Sequence, residues 1–271
     1  MRGAVRSTRA VMAALALSLV VVTPSLAWPA TPGAAVRGSS ELDLLPDLEL
    51  APVYGVSIAT ADRGRKRLRF GVRAFNIGAG TLEVRGRAPS GKVMGELYQW
   101  ITDVNGGGRE VPQQNVTMFW AGDGHSHWHV ERFIAVELYK VDTLTQARRA
   151  RKIGFCLLDL IRSSSPPAHA PAQRVYGYKA CGTTAKAPSL TMGISVGYAD
   201  DYFPTTAFNW IDITRLPRGH YRLCAKVNPV GDWLEASMEN NFYWQDYWIN
   251  PARSVARKRN TPGRTPCGMH G

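Results

Sequence analysis

The chain has 271 residues, 45% hydrophobic and 20% charged, with 8 Trp, 8 Phe and 10 Tyr, which excludes a disordered or collagen-like protein. Lys and Arg number 33 against 21 Asp and Glu, a formal charge of +12. The one long apolar run, Val11 to Val22, is too short to span a bilayer comfortably, which excludes a polytopic membrane protein.

That run reads as the core of a signal peptide over residues 1–27. Arg2, Arg6 and Arg9 form a basic start, and Ser25-Leu26-Ala27 presents small residues to a peptidase, so cleavage is expected after Ala27. No Arg pair occurs in this segment, which favours the general secretory route over twin-arginine export. Cleavage would remove three arginines and no acid, leaving +9. The alternative is an uncleaved N-terminal anchor. The mature protein is therefore expected to be secreted or extracytoplasmic, with no transmembrane span and no specific nucleic-acid partner. Residues 28–44, rich in Pro, Ala, Gly and Ser, read as a flexible leader, and residues 45–250 as the folded domain. Residues 251–271 read as a basic C-terminal tail: Arg253, Arg257, Lys258, Arg259 and Arg264 occur there with no acid between them. Such a tail is either solvated or set against an anionic cell-surface polymer.

Export changes how the four cysteines read. An even count in an oxidising compartment suggests two disulfides, with three pairings available. Cys156–Cys181 with Cys224–Cys267 is favoured because each bond then closes a local loop. With no CxxC in the chain, a zinc ribbon or thioredoxin-type motif has no support.

In chain order the elements are strands. Arg67 to Phe75 alternates with period two and turns at Asn76-Ile77-Gly78. Thr81 to Arg85 is a second short strand. His129 to Tyr139 is β-branched and aromatic and reads as a third. Ser163 to Gln173 is too Pro-rich for a regular element and reads as a surface loop. Asn209 to Thr214 and Tyr221 to Val227 read as two strands joined by a turn at Pro217-Arg218-Gly219. Short strands, polar turns and no segment of helical period argue for an all-β sandwich with long loops.

The chemistry begins at Asp123-Gly124-His125-Ser126-His127-Trp128-His129, which holds three of the six histidines. On a strand, residues i, i+2 and i+4 face one way, adjacent pairs about 6.6 Å apart and the outer pair about 13 Å. Three imidazoles reach one ion only if the strand bends, which Gly122 and Gly124 would permit. Imidazole donors suit copper or zinc, not calcium or magnesium. The competing readings are a His-rich surface strand, adventitious metal binding and a purely structural site. The other histidines, His169, His220 and His270, are scattered and read as solvent-exposed.

Several further segments stand in fixed order after this triplet. They are Lys152-Ile153-Gly154-Phe155-Cys156-Leu157-Leu158-Asp159, Gly193-Ile194-Ser195-Val196-Gly197, Asp201-Tyr202, Trp210 to Thr214, Gly219-x-Tyr221-x-Leu223, Val227-Asn228-Pro229 and Glu239-Asn240-Asn241. With the HxHxH they resemble the catalytic domain of the lysyl oxidase family, in order and spacing, from about residue 45 to 248. The resemblance implies a lysyl-oxidase-like β-sandwich, and copper held by His125, His127 and His129. It implies a lysine tyrosylquinone made from Lys152 and Tyr202. The implied activity is oxidative deamination of peptidyl lysine or another primary amine by molecular oxygen, giving an aldehyde, hydrogen peroxide and ammonia. The animal enzymes carry a cysteine directly before the first histidine, where this chain has Gly124, and their counterpart of the Pro-rich insert is shorter.

Elementary chemistry agrees with that implication. Oxidising an amine needs an electron sink, which no unmodified side chain provides. For Lys152 to bond to an oxidised tyrosine ring its amine must be neutral, which burial or a nearby cation favours. Phe155, Ile153 and Cys156 around it suit a partly buried position. From its immediate neighbours alone, Lys152 would read as a surface lysine after Arg148, Arg149 and Arg151, and Tyr202 as a packed core tyrosine. For the general base, Asp212 is the expectation, two residues after Trp210 on the same strand face, with Asp200 and Asp201 before Tyr202 as neighbours of interest. The alternatives from other classes are a secreted zinc hydrolase with a three-histidine site and a non-catalytic copper-binding β-sandwich.

Overall fold

The computed structural model describes residues 39–121, 126–259 and 262–267. The expected signal peptide, residues 28–38 of the expected leader, His125 and His270 lie outside the described residues, while Asp43–Leu44 at the end of that leader forms a short strand. Among the described residues the only helical element is a 3-10 turn at Asp62–Gly64, and no helix is long and apolar enough to cross a membrane.

The fold is all-β, as the strand periodicity leads one to expect, with every paired strand antiparallel in three curled sheets. The largest runs Gly154–Phe155, Trp128–Glu131, Met118–Trp120, Val93–Asp103, Leu82–Ser90, Ser189–Ile194, with Asp43–Leu44 and Gly108–Pro112 also on Val93–Asp103. A second runs Ile161–Arg162, Tyr198–Tyr202, Lys66–Asn76, Trp210–Asp212, with Leu48–Leu50 and Tyr54–Thr60 also on Lys66–Asn76. The third runs Gln146–Arg149, Ile134–Lys140, Gly219–Val227, Phe242–Asn250, Val255–Lys258. One hydrophobic core joins all three: Phe70 and Val72, Val84, Trp128 and Val130, and Val136, Leu223 and Ile249 belong to a single cluster.

Period-two alternation explains which residues enter that core. Along Lys66–Asn76, Leu68, Phe70, Val72 and Ala74 are buried. Arg67, Arg69 and Arg73 lie on the other face, where Arg67 stacks on the Trp210 ring, Arg69 donates to the Pro204 carbonyl and Arg73 to Asp201.

One expected element is split. His129 to Tyr139 forms two strands, Trp128–Glu131 and Ile134–Lys140, in different sheets. Arg132 between them is left-handed at φ 56°, and the chain turns there to drop Phe133 fully into the core. A left-handed arginine has no strong sequence signature, and burial of the phenylalanine offsets its strain.

The disulfides are Cys156–Cys181 and Cys224–Cys267, with Cα separations of 5.7 and 5.9 Å, the pairings favoured from loop length. The second pins the C-terminal stretch against Phe242–Asn250, where Val255–Lys258 also pairs and Trp244 exchanges backbone bonds with Gly263.

Candidate active site

The site is assembled where the first two sheets meet. Gly154–Phe155 pairs with Trp128–Glu131, in the register Gly154↔Glu131 and Phe155↔Val130. This puts the lysine segment beside the histidine segment. The approach is so close that a Cβ on Gly154 would stand 2.8 Å from His129 Nδ1 and 2.6 Å from the Phe119 ring. Only glycine fits there. Cys181 ties the same region from the other side: its carbonyl accepts the Trp128 N–H at 2.8 Å, and its sulfur is bonded to Cys156. Trp128 is fully buried and donates its indole N–H to the Thr184 carbonyl at 3.0 Å.

For the two described histidines of the triplet, the geometry is set by where the strand begins. It starts at Trp128, so His129 is on it, and His127 precedes it in a bend. That bend lets the two rings approach, with Nε2 atoms 2.8 Å apart and ring centroids 4.7 Å apart. Such a separation suits an N–H···N bond between neutral rings. It equally suits two nitrogens each about 2.0 Å from one cation at a near-right angle. His129 is 2% exposed, stacked edge-on against Phe119. The donors therefore fit a borderline metal such as copper or zinc. Among the described residues no three His, Cys, Asp or Glu side chains gather at a metal-binding distance, and His125 is not among them.

Lys152 and Tyr202 are 50 positions apart in sequence, and the fold brings them together. The lysine Nζ lies 4.9 Å from the tyrosine ring centroid and 5.3 Å from that of Phe155, whose ring meets Tyr202 edge-on at 5.1 Å. Lys152 is 8% exposed and Tyr202 7%. The burial comes from Phe155 and Tyr202; Ile153, expected to help, is 62% exposed. The Tyr202 hydroxyl donates to the Cys156 carbonyl at 2.8 Å, so the disulfide-bonded residue also orients the phenol. Asn209 fixes the backbone just after it, donating to the carbonyls of Phe70, Tyr202 and Phe203 at 2.8, 3.1 and 3.2 Å.

Strand Tyr198–Tyr202 carries an aspartate on each face. Asp201 points away from Tyr202 and accepts from Tyr54 Oη and from Arg73 Nη2, both at 2.7 Å. Arg73 is its direct cross-strand partner, so the pair clamps this strand to Lys66–Asn76. Asp200 shares the face of Tyr202. It is 1% exposed, and neither carboxyl oxygen has a hydrogen bond of good geometry, although the Tyr202 hydroxyl and the Asp201 amide are close enough to act on it. Burial pushes its carboxyl well above the usual carboxylate range, against the opposing pull of the Tyr202 hydroxyl and the Lys152 charge. Burial, and then the Asp200 charge, push the Tyr202 phenol up as well.

Asp212 has a different setting. Its Oδ1 accepts from the Thr214 amide at 2.9 Å and the Thr214 hydroxyl at 2.6 Å, and the hydroxyl bond holds its carboxyl below the usual range. That is the pattern of a turn-forming aspartate. Asp200, only a neighbour of interest in the sequence, has the signal that points to it: i, i+2 from the tyrosine on a strand.

Other motif residues are structural. Asp159 accepts from the amides of Val175, Tyr176 and Ser195 and the Ser195 hydroxyl, at 2.8 to 3.0 Å. It thereby fastens the Pro-rich loop to the turn before the tyrosine strand. Glu235 accepts from Asn228 and Asn241, each at 2.6 Å, and from the Leu48 amide at 2.9 Å. Burial pushes its carboxyl up to about 7. Two surface clefts, one beside Lys66, Arg218 and Arg253 and one beside Asp159, Arg162 and Arg174, touch neither Lys152 nor Tyr202.

The model of the family described as lysyl oxidase matches residues 97–255, which span the histidines, Lys152, Tyr202 and most of the third sheet. No curated protein matches the chain.

Proposed function

The chain belongs to the lysyl oxidase family, a family of copper amine oxidases, and on that premise we propose that it is a secreted enzyme that oxidatively deaminates peptidyl lysine or another primary amine. The overall reaction converts a primary amine, dioxygen and water to an aldehyde, ammonia and hydrogen peroxide. The observation that carries this reading is the buried approach of Lys152 Nζ to the Tyr202 ring at 4.9 Å. Copper and a quinone built from these two side chains would supply the two-electron sink that the reaction needs.

The chain's own residues have the remaining duties. His125, His127 and His129 would hold the metal. The Cys156 carbonyl orients the Tyr202 hydroxyl, and the Phe155 ring lies against both Tyr202 and the Lys152 amine. The dry surroundings favour the neutral amine that Lys152 needs in order to bond to carbon. The two disulfides, with no free cysteine in the chain, accord with an oxidising compartment and with the signal peptide read at residues 1–27. A zinc hydrolase with three histidine ligands would need neither Lys152 nor Tyr202, and that reading leaves their approach inside the core without a purpose.

The test is reconstitution of the purified protein with copper in air. A visible quinone band, trapping by phenylhydrazine and a peptide map joining the segments of Lys152 and Tyr202 are the expected results, with peroxide released from added amines. An uncrosslinked protein that still oxidises amines would overturn the assignment of this pair.

A further inference from the structure

Among the described residues, Asp200 is the one buried acid with neither oxygen hydrogen-bonded. Buried polar groups are nearly always satisfied, and an unsatisfied one calls for a reason. The neighbouring phenol meets the need only in part: it is close enough to pull the Asp200 carboxyl down, but its one hydroxyl hydrogen goes to the Cys156 carbonyl. The Asp201 amide acts on the carboxyl as well, but less than the phenol or the Lys152 charge, and the strand's backbone otherwise pairs with Lys66–Asn76 and, at Tyr198 and Ala199, with Ile161–Arg162. What remains on this face is Lys152. It is buried against the Tyr202 ring, and its charge is near enough to act on the Asp200 carboxyl.

Resting on the amine oxidase reading, we propose that Asp200 takes the ammonium proton of Lys152, so that a neutral lysine nitrogen faces the Tyr202 ring before the two are joined. The step is one proton transfer. An N–H bond of Lys152 breaks, an O–H bond forms on the Asp200 carboxyl, and no electrons change hands; dioxygen with copper remains the oxidant of the ring. The dry core drives the transfer. An ion pair there carries the desolvation cost of two charges, and a single proton crossing removes both. An Asp200 already tied up by donors, as Asp201 is by Tyr54 and Arg73, would hold its charge and leave the lysine charged too. The lack of partners is thus what makes Asp200 a good acceptor. Its position two residues before Tyr202 on one strand keeps acid, amine and ring on one face.

The experiment follows joining of the two segments, not turnover. The copper-free full chain of the parent, Asp200→Asn, Asp200→Ser and Asp200→Glu is loaded with one equivalent of copper in air. Peptide mapping then times the appearance of the Lys152–Tyr202 crosslink. Both neutral variants should bind copper like the parent and crosslink about 100-fold more slowly or worse, the usual scale for losing a positioned proton acceptor. Asp200→Glu should recover part of the rate, which a merely space-filling role would not predict. Two neutral replacements are carried so that misfolding of one leaves the other to decide. Parental crosslinking in a folded neutral variant overturns the role of Asp200 and leaves the amine oxidase reading intact. A parent that never crosslinks overturns that reading and this role with it.

Discussion

Strand Tyr198–Tyr202 holds two adjacent aspartates that are almost equally buried, Asp200 at 1% and Asp201 at 3% exposure, and oppositely served. Asp201 is bonded on both oxygens, to a tyrosine and an arginine of neighbouring strands; Asp200 is bonded on neither. Strand alternation sends the first toward the arginine face of Lys66–Asn76 and the second toward Tyr202 and Lys152. The difference teaches how to separate stabilising acids from reactive ones. A satisfied buried carboxylate fixes geometry, as Asp159 and Glu235 do elsewhere. An unsatisfied one retains its appetite for a proton.

The largest effect expected on the reactive face is at Tyr202. Tyr202→Phe keeps the ring's volume but removes the oxygen from which, on the proposed reading, ring oxidation would start. Amine-dependent peroxide should fall to background while copper binding is retained. Stability should drop by only about 1 kcal/mol, the worth of the hydrogen bond to Cys156. Peroxide assay and denaturant melts on the same preparation check both halves. Residual activity near the parental level would detach Tyr202 from the chemistry and dissolve the contrast between the two faces.

On the opposite face the main effect should be on stability. Asp201→Asn leaves the Arg73 guanidinium with a neutral partner and turns an acceptor into a donor facing Tyr54. Losing one member of a buried ion pair costs about 3–5 kcal/mol. Arg73 is 29% exposed and partly solvated, so about 3 kcal/mol is expected. Folded Asp201→Asn protein should still crosslink Lys152 to Tyr202. Loss of crosslinking at undiminished stability would show that the two acids work as one unit.

Much of this arrangement is written in the sequence. Alternation locates the Lys66–Asn76 strand to within one residue at each end, since each of its faces meets a different medium. Loop length favours the disulfide partners that form. The site is legible only in pieces. His127 and His129 carry a spacing signal, but the bend that lets their rings approach depends on where the strand starts. The break at Arg132 is hidden, because a left-handed arginine is held there by the burial of Phe133, a tertiary effect. Asp212 attracts attention because it shares a face with Trp210, yet Thr214 two residues on is the local sign of an Asx turn. What makes Asp200 distinctive is that no donor around it makes a hydrogen bond of good geometry, and no property of neighbouring residues in the chain encodes that.

Glu235 sharpens the comparison from a third position, a carboxylate with three donors that burial nonetheless pushes up to about 7. Its folded value stands above the unfolded one. The stability it contributes is therefore fully present below about 4.5 and is lost as pH rises through about 7. Between pH 5 and 8 the parent should lose about 2–3 kcal/mol that Glu235→Gln, neutral throughout, does not lose. Denaturant unfolding of both proteins at the two pH values isolates this group, since every other titration is common to them. Parallel pH dependence would mean that the three donors hold Glu235 ionised.

The smallest effect is expected where the acid is buried most and served least. Asp200→Asn exchanges a group with no partner for a neutral one of the same shape. The parent bears the cost of burying an unpaired carboxyl, which rises once the group is ionised, so the amide relieves that cost at pH 8. Against this, the amide brings two N–H donors into a space where Tyr202 Oη and the ring faces offer little, a penalty of about 1–3 kcal/mol if both stay unbonded. The two terms oppose each other and are of similar size, so the change should lie within about 1 kcal/mol of zero and tend toward stabilisation at alkaline pH. Copper-free protein should be used, to keep metal binding out of the measurement. Denaturant midpoints of Asp200→Asn and Asp201→Asn, taken side by side at pH 8, then read the contrast directly. A loss of about 2 kcal/mol or more at Asp200, matching that at Asp201, would mean that Asp200 too is held by partners in solution, and its availability to the Lys152 proton would fall with it.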